Sequence, residues 1–305
     1  MNKDRIRKLL KLPLGELTRL ADNARREGAG NGIDLCNILN AKSGACAEDC
    51  KFCAQSARHS TDAARYSLKS NGEILKAAGQ AKAMGADRFD IVTSGNTLTR
   101  REIERIADCI SEIKKKVGIK TCASLGKLDE ESLILLKKAG LTRYHHNIES
   151  SPGYFRRIVT THSFEDRLKT IMAAKKAGLE VCSGGIIGMG ETWDDRIEMA
   201  LTLKKLGVDS VPINILVPIE GTRMAKTKKI SAIDAIRTIA LFRIILKDKT
   251  IKVAAGRESA LKDYQALAFM AGANGMLIGG YLTVKGRSVD EDKKLIKEIK
   301  AAWKR

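Results

Sequence analysis

The sequence predicts an α/β protein built as one closed (βα)8 TIM barrel with a short N-terminal helical extension. Three observations lead there. Short apolar runs recur about every thirty residues, and the stretches between them place apolar residues at helical spacing. Strand and helix patterns alternate along the chain, which makes a parallel sheet with crossover helices. A barrel of this kind takes roughly 250 residues, so the 305 residues here accommodate one barrel and little else.

Taken in order, a leading helix is expected over 14–27. Strands are expected at 33–38, 88–92, 120–124, 143–148, 180–187, 210–216, 251–254 and 275–278. Helices are expected at 72–84, 101–117, 130–139, 164–177, 194–206, 233–246, 261–270 and 291–303. Several of these helices run into a glycine, the usual residue at a left-handed C-cap. No Gly/Ser-rich or Pro-rich linker interrupts the series, so residues 1–32 are assigned to the extension and 33–305 to a single barrel. Active residues of such barrels sit on the loops that follow the strands, which singles out the segment after the first strand.

Bulk properties exclude more than they assign. The opening residues lack the apolar centre of a signal peptide, and no uninterrupted apolar run is long enough to span about 30 Å of hydrocarbon, so a cytoplasmic protein with no membrane partner is expected. Seven cysteines, partly grouped at ligand spacing, point to metal or redox chemistry in a reducing compartment rather than to a disulfide framework. The formal charge of +19 raises the question of nucleic acid. The lysine clusters at 114–116, 204–205, 226–229 and 293–294 are short and scattered, however, and aromatic residues to stack bases make up only 4% of the chain. Solvated helix faces are the simpler reading, and no nucleic-acid partner is expected.

The motif that carries chemistry is Cys46-Ala-Glu-Asp-Cys50-Lys-Phe-Cys53, in the polar segment after the first strand. Three thiolates on a four-iron cluster leave one iron open to bind something else. Zinc fits less well, because structural zinc sites close with four ligands and no histidine lies within the motif. Three unrelated loop thiols are the bland alternative, but free cysteine is more often buried singly in a core.

The C-x3-C-x2-C spacing, with Phe52 before the last cysteine, resembles the cluster motif of the radical S-adenosylmethionine (SAM) enzymes. Neighbouring segments narrow the resemblance to the biotin synthase family. They are Cys53-Ala-Gln-Ser, Tyr144-His-His-Asn147-Ile-Glu149, the stretch from Glu180 through Cys182 to Glu191-Thr192, Val211-Pro-Ile-Asn214, Ala255-Gly-Arg257-Glu258, and Phe269-Met-Ala-Gly-Ala-Asn274. Together they span about residues 35–283.

The resemblance implies sulfur insertion between two unactivated carbons of dethiobiotin. It also implies a 4Fe-4S cluster on Cys46, Cys50 and Cys53, bound SAM, an electron donor such as flavodoxin or ferredoxin, and a homodimer. Asn147 and Glu149 match positions that contact the nucleoside, Glu149 standing where the family usually has Asp. Arg167 is matched to the methionyl carboxylate, Thr93 and Ser94 to the methionyl end, and Ile186 to adenine. Asn147 and Asn214 match the groups that meet the substrate's ureido ring, since an amide offers both a donor and an acceptor. His145 stands where some relatives have Asn and is placed with the substrate or as a satisfied structural residue. Another radical SAM enzyme without sulfur transfer is the enzyme alternative, and an iron-sulfur RNA-binding protein the binding-class one.

The best-known members of the family carry a second, sacrificial cluster on three cysteines and an arginine. This chain departs from that pattern twice, with Asp90 in place of the cysteine and Lys252 in place of the arginine. Barrel interiors fill in layers drawn from alternate strands, and Cys36, Cys122 and Cys182 fall on the first, third and fifth predicted strands. An auxiliary cluster on these three is expected, with a four-iron form carrying an extra sulfide favoured over 2Fe-2S. Lys252 is then expected to neutralise or hydrogen-bond it, and Asp90 to bond Arg88. The alternative is three ordinary small core residues.

Overall fold

The computed structural model describes residues 3–282 and 286–304. Residue 283, the end of the resemblance, and the outermost residues of the two expected units lie outside that range. Strands β1 (Asp34–Lys42), β2 (Arg88–Thr93), β3 (Lys120–Ser124), β4 (Arg143–His145), β5 (Glu180–Cys182), β6 (Gly185–Ile187), β7 (Ser210–Ile215), β8 (Thr250–Val253) and β9 (Gly275–Leu277) form one parallel sheet. Its order is β5-β4-β3-β2-β1-β9-β8-β7-β6, and a β5–β7 pairing closes it. The closing contact is Cys182 opposite Ser210. The predicted barrel is therefore present.

The helices are α1 (Lys3–Leu9), α2 (Leu14–Gly28), α3 (Asn71–Ala83), α4 (Arg100–Lys116), α5 (Glu130–Ala139) and α6 (Pro152–Ile158). They continue with α7 (Phe164–Lys176), α8 (Trp193–Leu206), α9 (Ala232–Leu246), α10 (Arg257–Leu261), α11 (Gln265–Met270) and α12 (Val289–Trp303). Local sequence sets where many begin. Ser70 with Glu73, Thr99 with Glu102, Ser163 with Asp166, Thr192 with Asp195 and Ser288 with Glu291 form reciprocal capping boxes, each satisfying two backbone donors that the helix cannot. Helix α2 packs against α9 and buries Leu17 and Ala21. No helix among the described residues is long and apolar enough to cross a membrane.

Three differences from expectation have local causes. The single strand expected over 180–187 is two, because Gly184 lies against the Pro212 carbonyl, too close for any side chain, and the Ser183 amide turns to Ser210 O at 2.9 Å. The helix expected over 261–270 is broken where Lys262 takes φ +46°. Helices α1 and α6 are too short to leave a periodic signal.

Candidate functional site

Two cavities share a wall inside the mouth of the barrel. One, of about 180 Å³, is lined by Cys46, Cys50 and Cys53 from the loop after β1, with Thr93, Ser94, His162 and Arg167 opposite. The other, of about 320 Å³, runs down the barrel axis past Cys36, Cys122, Cys182 and Lys252. Phe52, His145, Asn147 and Glu149 line both.

The cysteine loop is irregular backbone pinned at several points. The Asp49 carboxylate accepts from the Thr160 hydroxyl and from the backbone amides of Thr160 (2.9 Å) and Thr161 (3.2 Å), and burial does not stop these bonds from holding its pKa well below the usual range. Glu48 bonds the Thr161 hydroxyl and His162 Nδ1, the latter at 2.6 Å. Ser94 Oγ donates to Gly44 O at 2.8 Å and ties the end of β2 to the loop. Burial raises the thiol pKa values of Cys50 and Cys53, the latter to about 11. Arg167 opposes the effect at Cys50. Glu48 and His162 are site residues that the sequence reading missed; Glu48 lies inside the cysteine motif, which was the available signal.

Buried groups without partners mark where a polar ligand fits this cavity. Arg167 donates from Nη1 to Asn147 O (3.1 Å) and from Nη2 to His162 Nε2 (3.0 Å), but its buried Nε–H has no partner, and neither does the buried Thr93 hydroxyl. An unmade bond of this kind costs about 1–3 kcal/mol. Glu149 holds φ +64°, a left-handed conformation costly for a residue with a Cβ. Its backbone is fixed there by Gly184 O (3.1 Å) and the Ile186 amide (2.9 Å), and its side chain lines both cavities. Arg167 Nη1 lies 3.7 Å from its carboxylate.

Strand register builds the second cavity. Asp90 lies opposite Cys122, Cys122 opposite Arg143, and His145 opposite Cys182. Cys36, Cys122 and Cys182 are all buried. Cys36 Sγ donates to Asn37 O at 3.8 Å, and the interaction of Cys36 with Cys122, together with burial, pushes the Cys36 pKa up while Cys36 draws that of Cys122 down. Below them the floor is an ion network. Asp34 pairs with Lys252 (3.0 Å), Arg88 (3.3 Å) and Arg143 (3.3 Å), while Glu180 pairs with Arg88 (3.0 Å) and Arg143 (2.8 Å). Three cations against two carboxylates leave the floor net positive. Burial lowers the Lys252 pKa, but Cys36, Asp34 and Cys182 together hold it above its ordinary value.

The expected bond between Asp90 and Arg88 is absent, because Arg88 is engaged across the floor with Asp34 and Glu180. Asp90 Oδ2 is 3.2 Å from His145 Nδ1 instead. Arg143 was not anticipated; one arginine among many carried no signal. Ile186 and Asn214 line the axial cavity with Pro212 and Ala255.

Among the described residues no three acidic, cysteine or histidine side chains converge closely enough for a single metal ion. An iron-sulfur cluster asks something looser, since each thiolate binds a different iron. Cys46, Cys50 and Cys53 around one cavity fit such a group, and the unpartnered Arg167 N–H and Thr93 hydroxyl are donors suited to an anionic group.

A family model described as the radical SAM superfamily matches residues 41–203, and one described as the Biotin and Thiamin Synthesis associated domain matches 212–301. The chain is 54% identical over 286 residues to the biotin synthase of Thermotoga petrophila, covering 93% of this chain and 95% of that one. It is 55% identical over 269 residues to the biotin synthase of Thermotoga neapolitana, covering 88% and 96%. Among solved structures, methylornithine synthase (PylB) superposes with a TM-score of 0.82 at 19% identity over 99% of this chain and 96% of that one, a likeness of fold alone. The chain thus belongs to the radical SAM superfamily and, within it, to the biotin synthase family.

Proposed function

We propose that this protein inserts sulfur into dethiobiotin to form biotin, using a 4Fe-4S cluster and SAM in the loop cavity and a second cluster in the axial one. The observation that carries the reading is the shared wall. A substrate in the axial cavity would lie among the three strand cysteines and against the wall that this cavity shares with the one lined by the three loop cysteines.

Cys46, Cys50 and Cys53 would hold the 4Fe-4S cluster, which with SAM supplies abstraction of hydrogen from an unactivated carbon. Arg167, through its unpartnered Nε–H, and Thr93 would meet the methionyl group, with Ser94 holding the loop behind them. Glu149 projects a carboxylate that can accept the ribose hydroxyls, and Ile186 offers an apolar surface to adenine. Phe52, Pro212 and Leu216 narrow the space and exclude water, which protects a reactive carbon.

Cys36, Cys122 and Cys182 would hold the auxiliary cluster, a four-iron form with an extra sulfide being favoured because three thiolates leave one iron without a protein ligand. The net positive floor supports an anionic group there, Lys252 and Arg143 both lying on the cavity wall. Residues 33–305 form the catalytic unit with 1–32 as its extension, the assembly is a homodimer in the cytoplasm, and a flavodoxin or ferredoxin is the reductant.

Anaerobic incubation of the reconstituted protein with reductant, SAM and dethiobiotin, scored for 5′-deoxyadenosine and biotin, tests the reading. Both products are expected. Nucleoside without biotin would assign the chain to a radical reaction without sulfur transfer. Replacing Cys36, Cys122 and Cys182 together with Ala is expected to lower iron and sulfide and to remove biotin while nucleoside persists; unchanged iron would sink the auxiliary cluster.

A further inference from the structure

The carboxamides of Asn147 and Asn214 have no freedom to choose which end faces a ligand. Backbone N–H groups are donors only, so the atom that each contacts must be the amide oxygen. Gly184 N–H donates to Asn147 Oδ1 at 3.0 Å, and Ala255 N–H donates to Asn214 Oδ1 at 3.1 Å. At Asn214 one oxygen lone pair is left over. At Asn147 the second is taken as well, by His145 Nε2 at 3.0 Å.

That contact constrains His145 in turn. Asn147 Oδ1 accepts only, so Nε2 must donate; Asp90 is a carboxylate, so Nδ1, 3.2 Å from Oδ2, must donate too. The ring therefore carries both protons. Neither ring nitrogen is left for a ligand. What remains on the cavity side of Asn147 is its NH2, one hydrogen of which reaches toward Glu149 Oε2 at 3.4 Å.

We propose that Asp90 and His145 are positioning residues whose hydrogen-bond relay makes Asn147 a donor-only group, so that the part of the ligand meeting Asn147 must be a hydrogen-bond acceptor such as a urea carbonyl. The proposal rests on the substrate reading above and sharpens it. Asn147 reads the oxygen of the cyclic urea and rejects a ring that presents N–H there. An ordinary asparagine can flip to suit either edge; here the Gly184 N–H and the relay both oppose the flip. This gives Asp90 a task other than ligating iron at the position where the best-known relatives have cysteine.

The test compares anaerobic equilibrium binding of dethiobiotin with that of its cyclic guanidine analogue, in which the carbonyl becomes a donor, in the cluster-reconstituted, SAM-bound protein. The unsubstituted protein is expected to prefer the urea by about a hundredfold, since a donor facing a donor leaves both unpaired. Asp90→Ala and His145→Ala are expected to cut that ratio about tenfold by leaving the Gly184 N–H alone to oppose the turn of Asn147. Asp90→Asn, whose amide oxygen still accepts from Nδ1, is expected to restore most of it. Asn147→Asp is expected to reverse the preference. Iron and sulfide per chain should be unchanged in the Asp90 variants; their loss in both would make Asp90 a cluster ligand and overturn the relay. An unaltered urea-to-guanidine ratio in His145→Ala, with dethiobiotin still bound, would defeat the relay while leaving the substrate reading standing. If the unsubstituted protein binds neither compound, the substrate reading fails and the relay falls with it.

Discussion

Cys46, Cys50 and Cys53 lie on irregular backbone, whereas Cys36, Cys122 and Cys182 lie on β1, β3 and β5. The loop cysteines are held by side chains reaching in from elsewhere: Asp49 on Thr160 and Thr161, Glu48 on His162, and Ser94 on Gly44. The strand cysteines are held by register, with nothing between them that moves without breaking the sheet. Charge divides the regions the same way. Arg167 lines the loop cavity and Arg143 and Lys252 line the axial one, with His145 on the wall they share. A loop can be adjusted around a cluster and its ligand, and a strand layer cannot. The difference is the one that the proposed roles ask for, a reusable radical site in the loop and a sulfur-donating cluster among the strands.

Substituting Cys50 should separate the two regions most sharply. In Cys50→Ala, 5′-deoxyadenosine formation is expected to fall ~10³-fold or more, on the order of 4 kcal/mol in the barrier, because the buried Cys50 is one of three thiols available to that cluster. The proposed axial cluster should survive and contribute residual iron and visible absorption. Chromatography of the nucleoside, together with iron analysis of the same sample, checks this. Loss of all iron would show that the strand cysteines depend on the loop, and the division between a loop site and a strand site would collapse.

The barrel and the loop cysteines were legible because each leaves a local pattern: a repeated change of hydrophobic period in the first case, and ligand spacing over eight residues in the second. The alternate-strand layer was legible at one remove, since barrel geometry says which strands share a layer. What was illegible came from pairing between distant residues. Arg143 joins Asp34 across 109 positions, and His162 joins Glu48 across 114. Asp90 seemed to belong with its sequence neighbour Arg88, but Arg88 is long enough to reach the floor and found two carboxylates there. Nor does any sequence signal announce that Glu149 sits at positive φ. That follows from the backbones of Gly184 and Ile186 gripping it on both sides.

The floor network tests the axial side of the comparison through stability. Asp34→Asn removes the carboxylate that faces Lys252, Arg88 and Arg143 and leaves buried cations without it, a change expected to cost about 3 kcal/mol. Burial raises the Asp34 pKa, yet Lys252 and Arg143 draw it below its ordinary value. Its folded-state pKa is thus lower than its unfolded one, so its contribution is complete above the usual carboxylate range and is lost as the pH falls through the depressed value. Urea unfolding of the cluster-free protein should therefore show a gap between the native and Asp34→Asn chains at pH 7 that narrows in acid. A gap that widened in acid would mean that the carboxylate is not the partner of these cations.

Arg167→Lys probes the loop side and carries the smallest of these effects. Arginine here has three distinct nitrogens: Nη1 on Asn147 O, Nη2 on His162, and a buried Nε without a partner. Lysine keeps the charge but puts its donors on a single atom, so it can satisfy one direction fully and the others poorly. Affinity for SAM, measured by anaerobic equilibrium dialysis, is expected to fall roughly 30-fold, about 2 kcal/mol. Cluster content should be retained, because the Asp49 and Glu48 contacts that hold the cysteine loop do not pass through the Nε–H. If SAM affinity is kept and iron is lost, then Arg167 serves the loop rather than the ligand, acting through His162 and Glu48, and the loop cavity is more like the strand cavity than this comparison allows: a site whose cation is there to hold the metal cluster in place.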